Sequence, residues 1–144
     1  MTNYPPIVGG ASLLIALSLS TKLTLIIGAD SLAAIRATAA LQADSKVLVA
    51  FENNTKDKPI QLSEELIARR DQGELEIIEF DGPDHLLSLL DDGGGSDSSS
   101  IAVAFITDTL IGNKGGRRSY ESASALRSVL KRRNILVNVS DMPS

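Results

Sequence analysis

The sequence predicts a doubly wound α/β domain: a Rossmann-like parallel sheet of about five strands with helices on both faces. Three observations predict it. Strand-length apolar runs recur at wide spacing, helical patterns lie between them, and the core must be built almost without aromatic residues. Aromatics make up 3% of the chain and Trp is absent, so Leu, Ile, Val and Ala must fill the interior, as in a parallel sheet covered on both sides.

The elements follow in order. The first strand is expected at 23–27 (LTLII), followed by an Ala-rich helix over 31–41 with Leu32, Ile35 and Ala39 on its apolar face. A second strand over 47–51 leads to a helix at 63–70, which opens with Ser63 and Glu65 and carries Leu66 and Ile67. A third strand over 75–80 precedes a short helix at 84–90 after Pro83. The fourth strand is expected at 101–106. The last helix, 119–133, lines up Ala123, Leu126, Val129 and Leu130 ahead of a fifth strand at 135–139. Strand–helix alternation requires right-handed crossovers, hence parallel strands.

Length and charge narrow the classes. A chain of 144 residues with 43% hydrophobic content suits one domain with a real core, so residues 1–144 are read as a single unit. A formal charge of -4 gives no general attraction to nucleic acid or an anionic membrane. The basic clusters Arg117-Arg118 and Lys131-Arg132-Arg133 read as solvated helix faces. No Cys is present and there is one His, which excludes disulfides, thiolate zinc sites and His-rich metal clusters. The apolar stretch 11–19 lacks a preceding basic segment and is too short to span a bilayer, so a cytoplasmic location is the default expectation. Two segments are low in complexity. Residues 91–100 (DDGGGSDSSS) read as a flexible insertion, and 112–116 (GNKGG) as a loop without phosphate-loop spacing.

Ligands of doubly wound sheets bind beyond the carboxyl ends of the strands, and the first such end carries Gly28-Ala29-Asp30-Ser31-Leu32-Ala33. This is where a dinucleotide fingerprint G-x-G-x-x-G/A belongs. Gly28 suits the tight turn and Ala33 the close helix–strand contact. Asp30 stands where the middle glycine would let backbone meet a pyrophosphate, adding bulk and a like charge at a helix N-terminus. The competing reading is that Asp30 or Ser31 caps the helix. Glu52, after the second strand, lies near the position of a ribose-binding acid, or is a solvated loop residue. Thr107 and Asp108 follow the fourth strand, facing a nicotinamide or capping a helix. His85 reads as a surface or packing residue.

The order of residues resembles the siroheme-synthase family, especially its fungal members. The resemblance runs through Gly9-Gly10-Ala11-Ser12-Leu13-Leu14-Ile15-Ala16, Leu25-Ile26-Ile27-Gly28 with Ala33-Ala34-Ile35-Arg36, and Ala43-Asp44-Ser45-Lys46-Val47. It continues over 65–80 and Phe105-Ile106-Thr107-Asp108 to Val137-Asn138-Val139-Ser140-Asp141-Met142-Pro143, which is similar to that family's Asn-Val-x-Asp-x-Pro motif. The resemblance implies an NAD-dependent precorrin-2 dehydrogenase domain acting on a tetrapyrrole, with iron insertion by the same site in bifunctional members. It also implies that Asp141 is the catalytic acid–base group, in keeping with a carboxylate just past a parallel strand; a turn before Pro143 is the plain alternative. Asp30 departs from the family's Gly-Gly-Gly turn, so NAD binding is expected to be weak or lost. The resemblance further implies that this is the N-terminal part of a longer protein, with a homodimer formed through segments beyond Ser144 and a methyltransferase among the domains that could follow. Two other readings stand beside it: a non-catalytic domain with a structural, dimerisation or regulatory role, and an unrelated Rossmann-like domain for another nucleotide or a methyl donor.

Overall fold

The computed structural model describes residues 22–52, 61–92, 101–109 and 118–139. The described elements run β1 (Leu23–Ile27), α1 (Ser31–Gln42), β2 (Lys46–Glu52), α2 (Glu64–Asp71), β3 (Glu76–Phe80), α3 (Gly82–Asp92), β4 (Ile101–Ile106), α4 (Tyr120–Lys131) and β5 (Leu136–Val139). The strands form one parallel sheet in the order β3-β2-β1-β4-β5. The chain moves outward from β1 through β2 to β3, then crosses back to place β4 on the other side of β1. The switch point therefore lies between β1 and β4, as the alternating pattern predicts.

Side chains alternate across the sheet, so each face has its own core. On one face Ile26, Val47 and Val49 meet α1 and α2. On the other, Leu25, Ile27, Ala50, Phe80, Ala104 and Ile106 meet Leu86 and Leu90 of α3 and Ala123, Leu126 and Leu130 of α4. The stripe expected on the last helix is the one buried, with Val129 partly covered at its margin.

The expected face of the first helix is corrected. Its buried residues are Ala33, Ala34, Ala37 and Ala40, whereas Ile35 is 60% exposed, Ala39 exposed and Leu32 half-buried. In so Ala-rich a helix the contrast in hydrophobicity around the axis is shallow. The deciding factor is size: small side chains let the helix lie close on the central strands, so the methyl groups go inside and the larger Ile35 stays out. The arginine beside it, Arg36, places its guanidinium 5.6 Å from the centre of the Phe105 ring.

Several boundaries shift. The short helix starts at Gly82, with Pro83 in its first turn, and runs to Asp92. Asp91 and Asp92 thus belong to α3 and not to a flexible insertion, and Asp91 is paired with Arg133 beyond α4. Residues 93–100 and 110–117, with the GNKGG loop, lie outside the described residues. Arg133 is only partly exposed, while Lys131 and Arg132 are exposed, as a solvated face requires. Among the described residues no helix is long and apolar enough to cross a membrane.

Candidate functional site

At the carboxyl end of β1 the backbone turns at Gly28 with φ +146°. Its N–H donates to the Ala50 carbonyl at 2.9 Å, extending the pairing with β2 by one residue. From the β4 side, Thr107 donates its N–H to the Ile27 carbonyl at 2.9 Å and its hydroxyl to the same oxygen at 3.0 Å. A Cβ on residue 28 would collide with the Thr107 hydroxyl, and the positive φ would strain any L side chain, so both space and conformation demand glycine. Ala33 is fully buried directly beneath the turn, the close helix–strand contact expected of the fingerprint's last small position. Ala29 is buried and its carbonyl accepts the Ser63 N–H at 2.8 Å, tying the start of α2 to the same turn.

Asp30 is the N-cap of α1, in extended conformation (φ -103°, ψ -164°). Its Oδ1 accepts from the Leu32 and Ala33 amides at 3.2 and 3.3 Å. These are orphan donors of the first helical turn, the groups a helix N-terminus offers to an anion. Ser31, exposed, begins the helix and is not the cap. Gly28 thus has the tight, Cβ-free geometry of the fingerprint's first position, with the Thr107 hydroxyl packed where a side chain would begin. At Asp30 the fingerprint's middle glycine is replaced, and the carboxylate accepts from two amides of the kind a helix N-terminus offers an anion.

Beyond β2 and β4 the structure assembles a cluster that no sequence motif announces. Arg118, 6% exposed, donates Nε and Nη2 to the two oxygens of Asp108 at 2.8 and 2.9 Å. Its Nη1 reaches Glu52 Oε1 at 2.6 Å and the Ser122 hydroxyl at 2.8 Å. Glu52 Oε2 accepts from the Gly82 N–H at 3.1 Å, at the start of α3. The guanidinium also lies 5.9 Å from the Phe80 ring centre. Glu52 and Asp108 stand at the ends of strands that flank β1 on opposite sides, so the Arg118 side chain spans the end of β1. Burial pushes the Asp108 carboxyl above the usual carboxylate range, against the pull of the Arg118 fork. For Arg118 burial works towards losing the proton, but its bonds to Asp108 and Glu52 prevail and raise its pKa.

Two expectations change here. Arg118 is not part of a solvated face, because two carboxylates draw it inside. Glu52 is not a solvated loop residue; it ends β2 with its side chain 11% exposed. Thr107 bonds to the end of β1 and Asp108 to Arg118, while the residues 110–117 that either would cap lie outside the described residues. Ser119, beside Arg118, is the cap of α4, accepting the Ser122 N–H at 3.1 Å. The only sequence sign of the cluster was an arginine just ahead of that cap, and Arg117 beside it made the two look like surface charge. His85 is exposed and its Nδ1 accepts the Asp81 N–H at 2.8 Å, a local contact within the turn into α3. Among the described residues no group of three or more His, Cys, Asp or Glu side chains could hold a metal ion. Asp141 lies outside the described residues.

The gathering of a glycine turn, a helix N-terminus and polar strand ends at one edge is the arrangement of a nucleotide-binding fold. A family model described as "Putative NAD(P)-binding" matches residues 15–144. The chain belongs to this NAD(P)-binding family. Among solved structures it is similar to the glutamyl-tRNA reductase from Methanopyrus kandleri, with 15% identity and a TM-score of 0.38 over 92% of this chain. The chain spans 40% of the length of that protein. No curated protein sequence matches it.

Proposed function

We propose that this chain is the Rossmann-type nucleotide domain of a siroheme-biosynthesis protein of the precorrin-2 dehydrogenase kind, and that Asp30 weakens or abolishes its hold on NAD. The observation that carries the reading is Gly28, at φ +146° and pressed against Thr107 at the end of β1, within a chain that belongs to an NAD(P)-binding family. The resemblance of Asn138-Val139-Ser140-Asp141-Met142-Pro143 to the siroheme-synthase motif supports the finer assignment. That motif begins on β5, which runs parallel to β1 and ends at Val139. In this reading the substrate is a tetrapyrrole, Asp141 moves the proton, iron insertion is a second activity, and residues 1–144 form one domain of a longer cytoplasmic protein. The homodimer and any methyltransferase belong to that longer protein.

A second reading, a non-catalytic scaffold that has lost its cofactor, is favoured by Asp30 alone, whose carboxylate occupies the Leu32 and Ala33 amides. Calorimetric titration with NAD tests the role given to Asp30, and turnover in the full-length protein separates the two readings. Weak binding by the native chain that strengthens in Asp30→Gly is expected, since one like-charge contact near a surface is worth on the order of 1–4 kcal/mol. Tight native binding unchanged in Asp30→Gly would overturn the role given to Asp30. In the full-length protein, Asp141→Asn should lower sirohydrochlorin formation by about a hundred- to ten-thousand-fold with stability preserved. A full-length native protein that makes no sirohydrochlorin would leave the scaffold reading in place.

A further inference from the structure

We propose that Arg118 is a positioning residue of the nucleotide edge, holding Glu52 in the one orientation that accepts the two hydroxyls of a ribose. The inference rests on the nucleotide-binding reading above and adds a residue that the glycine turn does not touch. Glu52 ends β2, the strand whose carboxyl end commonly carries the acid that meets a ribose. A lone glutamate there would sample several rotamers. Here each carboxylate oxygen has one fixed donor, Arg118 Nη1 on Oε1 at 2.6 Å and the Gly82 amide on Oε2 at 3.1 Å. A carboxylate offers about four lone-pair sites, so each oxygen keeps capacity for one more donor. A vicinal diol supplies two, spaced to match the two oxygens of one carboxylate.

Arg118 is itself fixed. Asp108 takes Nε and Nη2, Ser122 shares Nη1, and the Phe80 ring backs the guanidinium. Four of its five N–H donors are therefore committed within the protein, and it is through Glu52 that Arg118 acts on the ligand. The planar bidentate grip on Asp108 is a geometry that lysine cannot reproduce.

The test measures discrimination as well as affinity, using NAD and its analogue lacking the adenosine 2′-hydroxyl, titrated into the whole chain in the native and Asp30→Gly forms. In Asp30→Gly, NAD should bind about tenfold or more tightly than the 2′-deoxy analogue, the scale of one hydrogen bond to a charged acceptor. Glu52→Gln and Arg118→Lys should each bring that ratio close to one. Ser122→Ala removes another bond to Arg118 without touching Glu52, so it should lower the melting temperature and leave the ratio intact. If Arg118→Lys lowers stability while the ratio persists, Arg118 is merely structural and the proposal fails although the nucleotide reading stands. If Asp30→Gly binds neither compound, the nucleotide reading falls and the proposal with it.

Discussion

The two faces of the sheet are packed on different terms. Against α1 the contact is made by Ala33, Ala34, Ala37 and Ala40, none larger than a methyl group, and the helix lies close on Ile26, Val47 and Val49. Against α3 and α4 it is made by Leu86, Leu90, Leu126 and Leu130, which interdigitate with Leu25, Ile27 and Phe80. The first face gives up apolar area for proximity, and proximity is what brings the N-terminus of α1 over the Gly28 turn. The second face gains area: a fully buried leucine is worth about 1.5–3 kcal/mol, well above an alanine. One side of the sheet is thus shaped by the site it serves, and the other carries more of the stability.

Substitutions can break this contrast. The largest effect is expected on the leucine face, where Leu126→Ala leaves a cavity among fully buried neighbours and should cost about 2–5 kcal/mol in chemical denaturation. A loss under about 1 kcal/mol would mean that the face collapses and is not tightly packed. On the alanine face the opposite change is the informative one. Ala37→Leu forces added volume between α1 and the sheet and should cost about 1–3 kcal/mol. It should also disturb the Gly28 turn, visible as amide shifts at residues 28–33 in a heteronuclear NMR spectrum, whereas Leu126→Ala should leave those amides in place.

Smaller effects sharpen the same comparison at the ends and outer surface of α1. Removing the cap by Asp30→Ala should cost about 0.5–2 kcal/mol, while Asp30→Gly should lose only a few tenths because glycine leaves the amides open to water. Equal losses in the two variants would show that the carboxylate contributes nothing as a cap. The smallest change is expected for Ile35→Lys. With 60% of Ile35 exposed, stability should stay within about 0.5 kcal/mol, and a larger loss would restore Ile35 to the core.

The strands were the most legible part of the sequence. Runs such as LTLII and IAVAFI are continuous and bounded by polar turns, and β1 and β4 fall on the residues the pattern picks. The leucine-bearing helix was legible too, because Leu126 and Leu130 contrast sharply with the Ser and Arg around them. The alanine helix was not: Ile35 outweighs any alanine on a hydrophobicity scale, so ranking by apolarity turned the helix the wrong way. At the site, the position of Gly28 and the capping capacity of Asp30 were open to a local reading, since both depend on neighbours within a few residues. The Arg118 cluster joins residues 52, 82, 108, 118 and 122, contributed by separate elements, and no local pattern marks it.

By itself, then, the sequence determined the alternation of elements, the parallel sheet and the glycine at the end of β1, because periodicity, chain connectivity and backbone sterics act over short stretches of chain. Only the tertiary structure decided which face of α1 is buried, that Asp30 and not Ser31 caps the helix through the Leu32 and Ala33 amides, and that Arg118 lies inside between Glu52 and Asp108. The physical reason is common to all three. Burial is set by what the assembled sheet places opposite each side chain, and an arginine that would stay in water beside its chain neighbours goes inside when two strand ends bring carboxylates to it.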